Sequence, residues 1–174
     1  MKKMINLWDY AGKLLEQTGK GVLLTTQVDG KVNTMTIGWG TLGIEWGKTI
    51  YTVFVRESRY TKELLEKNPF FTINVPMDDS AKEILKVCGT KSGRDMDKIQ
   101  ALNLELEDGE TINVPGIKQL PLTLECKVIY KQEQDPEAIA PESIQRYYPV
   151  SPATGKGDYH TAYYGQVTAA YILE

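Results

Sequence analysis

Two arginines and the hydroxyls of Ser58 and Thr61 fall within the run Arg56-Glu57-Ser58-Arg59-Tyr60-Thr61. An apolar, strand-like stretch ends at Val55 just before it, and a helix-like stretch begins near Thr61. A strand-to-helix junction presents free backbone amides and the positive end of the helix dipole. Arginine adds a bidentate fork and the hydroxyls add short donors, a combination that suits a terminal phosphate. The same residues also suit a solvated helix cap with surface arginines, and the run alone leaves both open. A second concentration of donors is Cys88-Gly89-Thr90-Lys91-Ser92-Gly93-Arg94-Asp95. Its glycines allow tight backbone turns, and Lys91 and Arg94 supply charge. It can form an anion-binding nest, or a plain loop capped by Ser92 before a short helix.

Other motifs fail on context. Gly38-Trp39-Gly40-Thr41-Leu42-Gly43 spells GxGxxG, but a dinucleotide site needs a helix directly after it, and Ile44-Glu45-Trp46-Gly47 and a strand follow instead. The segment reads as a glycine-rich strand end whose backbone can approach a flat ligand. Gly47-Lys48-Thr49 lacks the first glycine and the helix of a P-loop, and Thr154-Gly155-Lys156-Gly157 lacks its hydroxyl residue. His160 is the single imidazole and no GxSxG elbow is present, so a hydrolytic triad cannot be assembled. A lone histidine is either a functional group or a brace for the strand it starts.

These residues need elements to position them. Residues 7–17 carry apolar side chains at helical spacing, ended by Gly19 and Gly21. Residues 21–28 and 31–38 read as strands joined at the Asp29-Gly30 turn, and residues 49–55 as a strand apolar on both faces. A helix over 61–66 precedes Asn68-Pro69, a strand covers 70–75, and a helix capped near Asp78 covers 78–87. Residues 102–107 and 110–114, around Asp108-Gly109, read as a second hairpin, and strands cover 122–132 and 163–173. The connection 133–159 is long and rich in proline, with a short helix over 141–148. Many strands with few helices predict a mainly β fold with α decoration, a barrel or sandwich. One domain over residues 1–174 is expected, with 133–159 as a long connection or lid.

Composition narrows the function. Twenty basic residues against 23 acidic ones give a net charge of −3, which argues against nucleic acid or an anionic membrane as a partner held by bulk charge. Two cysteines and one histidine cannot close a four-ligand zinc site, and no metal site is expected. No disulfide framework, signal-peptide core or 18-residue apolar span is present, so a cytoplasmic protein is expected. Cys126 alternates with apolar neighbours and reads as core, as does Cys88 at a helix end. Trp8 and Trp46 read as interface anchors or as core.

Four segments together resemble the flavin reductase-like family of FMN-binding split-barrel proteins, which includes flavoredoxins. They are NTMTIGWGTL (33–42), RESRYTKELLEKNPFFTINVP (56–76), CGTKSGRDMDK (88–98), and LECKV (124–128) with HTAYYGQV (160–167). The resemblance implies a six-stranded antiparallel Greek-key split β-barrel, homodimeric, with FMN near the subunit interface. Thr36, Gly38, Trp39, Gly40 and Thr41 then correspond to the wall against the isoalloxazine ring. Arg56, Ser58, Tyr60 and Thr61 correspond to the phosphate grip, with Arg59 beside them. Thr90, Lys91, Ser92 and Arg94 correspond to further cofactor or substrate contacts, and His160 to the catalytic position near the nicotinamide or the ring. Two features depart from the family: Ile44-Glu45-Trp46-Gly47 stands where a Pro-Pro pair is common, and 133–159 is longer, with Tyr147 and Tyr148 able to cover the flavin or a dimer seam.

The implied function is an FMN-dependent oxidoreductase, an NAD(P)H-dependent flavin reductase fed by NADH or NADPH, in which the flavin does the redox chemistry. The alternative is a flavoredoxin-type electron carrier whose tightly bound FMN is reduced by a redox protein partner. A non-catalytic flavin-binding module is the third reading. A terminal phosphate grip favours FMN over FAD.

Overall fold

The computed structural model describes residues 1–174. In chain order the strands are β1 (Lys2–Met4), β2 (Val22–Val28), β3 (Lys31–Ile37), β4 (Gly40–Glu45), β5 (Lys48–Arg56), β6 (Phe70–Val75), β7 (Leu106–Glu107), β8 (Gly116–Ile117), β9 (Leu122–Glu133) and β10 (His160–Leu173). The helices are α1 (Ala11–Lys20), α2 (Tyr60–Lys67), α3 (Lys82–Thr90), α4 (Lys98–Ala101) and α5 (Pro141–Tyr147). No helix is long and apolar enough to cross a membrane.

The expected mainly β, antiparallel architecture is present, and every strand pair is antiparallel. The main path runs β3-β2-β6-β9-β10-β5-β4, seven strands rather than six, with β1 beside the end of β10. It does not close into a barrel, because β3 and β4 are not paired with each other. Yet only Gly38 and Trp39 separate these two terminal strands in the chain. Three Cα steps span at most about 11 Å, so the sheet must curl until its two edges approach at that link.

Turn chemistry explains both hairpins that flank the link. Asp29 and Gly30 both take positive φ (50° and 76°), the pattern of a two-residue turn whose twist matches the strands. Trp46 and Gly47 do the same (50° and 67°), which makes residues 40–45 a full strand where a glycine-rich strand end was expected. The hairpin expected around Asp108-Gly109 does not form. Leu106–Glu107 pairs instead with Gly116–Ile117, and the chain between them loops out. The cause is the fully buried Glu125 carboxylate, which accepts from the backbone amides of Glu110 (2.5 Å) and Thr111 (2.6 Å) and so takes the donors a ladder would need.

β2 is buried on both faces. Leu24 joins a core of Leu14, Tyr51, Val53, Phe71, Ile73, Leu124 and Cys126, among others. Leu23 packs the other way, against Ala81, Cys88, Leu104, Ile117 and Leu120, and this second cluster lays α3 on the sheet. Each fully buried aliphatic side chain contributes about 1.5–3 kcal/mol over exposure. Both thiols are free, and burial pushes both up from the ordinary range.

β10 pairs with β9 through a register shift between Tyr164 and Gly165, and its first residues run without a break beside β5, with His160 opposite Arg56. Gly165 is required there by packing: a Cβ would overlap the Phe71 ring edge and lie 2.9 Å from Cys126 Cβ. Gly165→Ala is therefore expected to lower stability by about 1–3 kcal/mol through overpacking, read as a lower urea midpoint at unchanged slope.

Candidate functional site

The site lies where the two sheet edges approach. Its first half is a cavity of about 120 Å³ between β3, the start of α2 and the segment after α3. β5 leads through Glu57-Ser58-Arg59 straight into α2, with Arg59 as the extended N-cap residue and no side-chain cap. α3 stops when the chain extends at Lys91, and Asp97 caps α4, accepting from Gln100 N at 3.1 Å. These turns bring Thr36, Ser58, Arg59, Tyr60 and Thr61 to one cavity with Lys91, Ser92 and Arg94.

Lys98 completes this half and was not singled out from the sequence. Its residue is only 4 % exposed, yet its Nζ has a single acceptor, the Lys91 carbonyl at 3.1 Å, and no carboxylate partner. Burial lowers its pKa. A buried ammonium with one of three donors used, on the wall of a cavity, fits an anionic group. Arg59 and Lys91 also line the cavity, and neither side chain donates to any group of the protein. Arg94 is committed elsewhere, to Ser58 O (3.2 Å), to the Glu63 carboxylate, and over the Tyr60 ring at 5.3 Å. Thr61 is held by Asn33, whose amide donates to its hydroxyl at 3.3 Å.

The second half, about 190 Å³, shares Met35, Thr36 and Arg59 with the first and adds Gly38, Trp39, Phe54, Arg56 and His160. Thr36 donates to Leu85 O at 2.6 Å, fastening α3 to β3 at the boundary of the two halves. Trp39, 40 % exposed, has His160 at 4.9 Å on one side and Tyr147 edge-on at 5.1 Å. His160 is 7 % exposed, and its Nδ1 lies 2.8 Å from the Tyr148 hydroxyl. Burial pushes its imidazole down to about 4, the Arg56 charge adds to this, and Asp158 opposes it.

Arg56 and Ser58, both expected at the phosphate, meet the connection between β9 and β10. Arg56 donates to the backbone carbonyls of Asp158 (2.7 Å) and Tyr147 (3.1 Å), with its guanidinium over Tyr148 at 5.2 Å. Ser58 gives its N–H (3.0 Å) and hydroxyl (2.5 Å) to the Asp158 carboxylate. The connection is thus a strap pinned across the second half rather than a free lid. Gly40 and Thr41 lie outside both halves, on a more open pocket of about 460 Å³ that shares Gly38, Trp39 and Phe54 with the second half and adds Thr18 and Gln134. Gly40 has a packing role, since a Cβ would lie 2.5 Å from the Tyr51 hydroxyl. Thr90 lines neither half, and its hydroxyl returns to Lys86 O at 2.9 Å.

The profile of the flavin reductase like domain matches residues 17–174. The chain belongs to the flavin reductase-like family. An uncharacterised protein of Archaeoglobus fulgidus is 29 % identical over 131 residues, covering 75 % of this chain and 70 % of the relative. The flavoredoxin of Methanosarcina acetivorans superposes with a TM-score of 0.67 at 27 % identity, covering 88 % of this chain and 68 % of its own. The FMN-binding domain of a flavin reductases-like enzyme from Shewanella baltica has the same fold (TM-score 0.70, 21 % identity, 99 % of this chain and 77 % of that one).

Because the chain has one histidine, its titration can be followed without overlap. The ring protons of His160 are expected to titrate near pH 4 in the folded protein, and a midpoint at the ordinary 6.5 would contradict the burial. Between those values the unfolded chain binds a proton on His160 that the folded chain does not. This residue therefore makes folding less favourable as the pH falls from 6.5 towards 4.

Proposed function

We propose that this chain is an FMN-binding oxidoreductase that takes a hydride from NADH or NADPH. The observation that carries the reading is the buried, unpaired Lys98 ammonium in a cavity that continues into an aromatic wall. One end offers three cations to a phosphate ester, Lys98, Arg59 and Lys91, and the other offers Trp39 and His160 to a flat ring. A free terminal phosphate at the cationic end favours FMN over FAD.

When bound, FMN supplies the redox chemistry, accepting a hydride and passing electrons on. The chain's own residues then have three tasks. Lys98, Arg59, Lys91 and Ser92 hold the phosphate by charge-assisted hydrogen bonds. Trp39 and Thr36 form the wall beside the ring. The strap, pinned by Arg56, holds Tyr147 against Trp39 and Tyr148 against His160, and so braces two residues that line the second half. No acid or nucleophile is required, which agrees with a site built of donors and aromatic rings.

The pinned strap also favours a second reading, an electron carrier that retains FMN and receives electrons from a redox protein partner. We further propose a homodimer, supported by Ile44, Trp46 and Tyr130, which are exposed, with the Trp46 and Tyr130 rings 5.9 Å apart. The two free thiols support a cytoplasmic location.

An absorbance spectrum of the dialysed protein, followed by anaerobic addition of each nucleotide, tests these readings. Yellow protein bleached by NADH or NADPH supports the reductase, and bleaching by dithionite alone supports the carrier. Colourless protein that takes up no FMN overturns both. Lys98→Met and Arg59→Ala are each expected to weaken FMN binding about 10- to 100-fold, the effect of losing one charge-assisted hydrogen bond, measured by fluorescence titration. Unchanged affinity in both would move the phosphate elsewhere.

A further inference from the structure

We propose that Tyr148 is a positioning residue for His160: it fixes the imidazole as the Nε2–H tautomer, so that the cleft presents an uncharged hydrogen-bond donor to a carbonyl oxygen of a planar heteroaromatic ligand. The 2.8 Å contact between the Tyr148 hydroxyl and His160 Nδ1 admits two directions of donation. The surroundings select one. Tyr148 is 3 % exposed, and its hydroxyl has no other partner. The groups packed on its ring are Tyr159, stacked at 4.9 Å, and the Arg56 guanidinium, which has donors only. If Nδ1 carried the proton, the phenolic hydrogen would be buried without an acceptor. The phenol must therefore donate to Nδ1, and the neutral ring carries its proton on Nε2.

Nε2 has no hydrogen bond within the protein, while every sealed side-chain nitrogen and oxygen has a partner. Nε2 is thus open to the half of the cleft that His160 lines. The charged groups facing the ring are Arg56, Arg59 and Asp158. Two of the three are cations, and they favour the neutral ring beside them. Trp39 at 4.9 Å confines the ring, and Gln134 holds the His160 backbone N–H at 3.0 Å. The ligand class that fits is one with a carbonyl on a flat ring system or directly attached to it, as in a flavin or a nicotinamide. The histidine donates a hydrogen bond and transfers no proton.

The consequence for turnover rests on the reductase reading, but the tautomer is a property of the chain itself. The test is a nitrogen-15 spectrum of the imidazole in the protein as purified, where one histidine gives one set of ring resonances. At pH 7 the expected result is a protonated Nε2 and an Nδ1 shifted as a hydrogen-bond acceptor. Tyr148→Phe is expected to remove the acceptor shift and to slow flavin reduction by NADH or NADPH about tenfold, with FMN affinity kept. Tyr159→Phe keeps the stacked ring and is expected to change neither readout. A protonated Nδ1 in the unaltered protein overturns the proposal, even if Tyr148→Phe fails to fold. An Nδ1 resonance unmoved in a folded Tyr148→Phe overturns it as well. An unaltered protein with the Nε2–H signature that neither nucleotide reduces overturns the reductase reading instead, and leaves the positioning by Tyr148 supported.

Discussion

Two residues, Gly38 and Trp39, must join strands that lie at opposite ends of a seven-strand path. This constraint of chain length shapes the rest of the molecule. It forces the sheet to curl, and it fixes the place where the curl stays unpaired. The cleft is that place. Trp39 stands in it because it is the link, and His160 because β10 begins beside the end of β5, where His160 pairs with Arg56. The helices follow the same logic. α3 lies over β2 and β3 because Leu23 turns its side chain away from the main core, and the chain leaving α3 then brings Lys91, Arg94 and Lys98 back to the gap.

Charge is divided unevenly around the cleft. In the first half Lys98, Arg59 and Lys91 have no carboxylate partner, and Lys98 is held in an environment that disfavours its own charge. Arg56 in the second half and Ser58 in the first are engaged by the strap. A buried cation without a counter-ion is costly for the fold taken alone. It is retained in the half where an anionic ligand would relieve that cost. The Asp158 carboxylate satisfies the junction before α2, so that the free cations lie deeper, around Lys98.

Much of this was legible in the residues. The Asp29-Gly30 turn, the strand-to-helix junction at Arg56–Thr61 and the donor run after Cys88 all follow from local chemistry, and the structure brings both runs to one cavity. The failures have long-range causes. The hairpin at Asp108-Gly109 loses its ladder to Glu125, a side chain far enough along the chain that no local pattern reports it. Lys98 reads as one more surface lysine until α4 turns it inward. Arg56 and Ser58 look like donors awaiting a ligand, because Asp158 is 100 residues beyond Ser58. β4 was hidden by its glycines, one of which is required by Tyr51 behind it.

Arg56 holds the strap by two carbonyl oxygens, at Tyr147 and Asp158. Every residue type supplies a carbonyl, so these two bonds place no demand on side-chain identity there. Between them, residues 149–157 are largely exposed and anchored at both ends. Substitutions in that stretch, the closely packed Gly157 apart, therefore leave these two bonds intact. The fold in this way separates the backbone contacts that fasten the strap from an exposed surface whose side chains are free to vary.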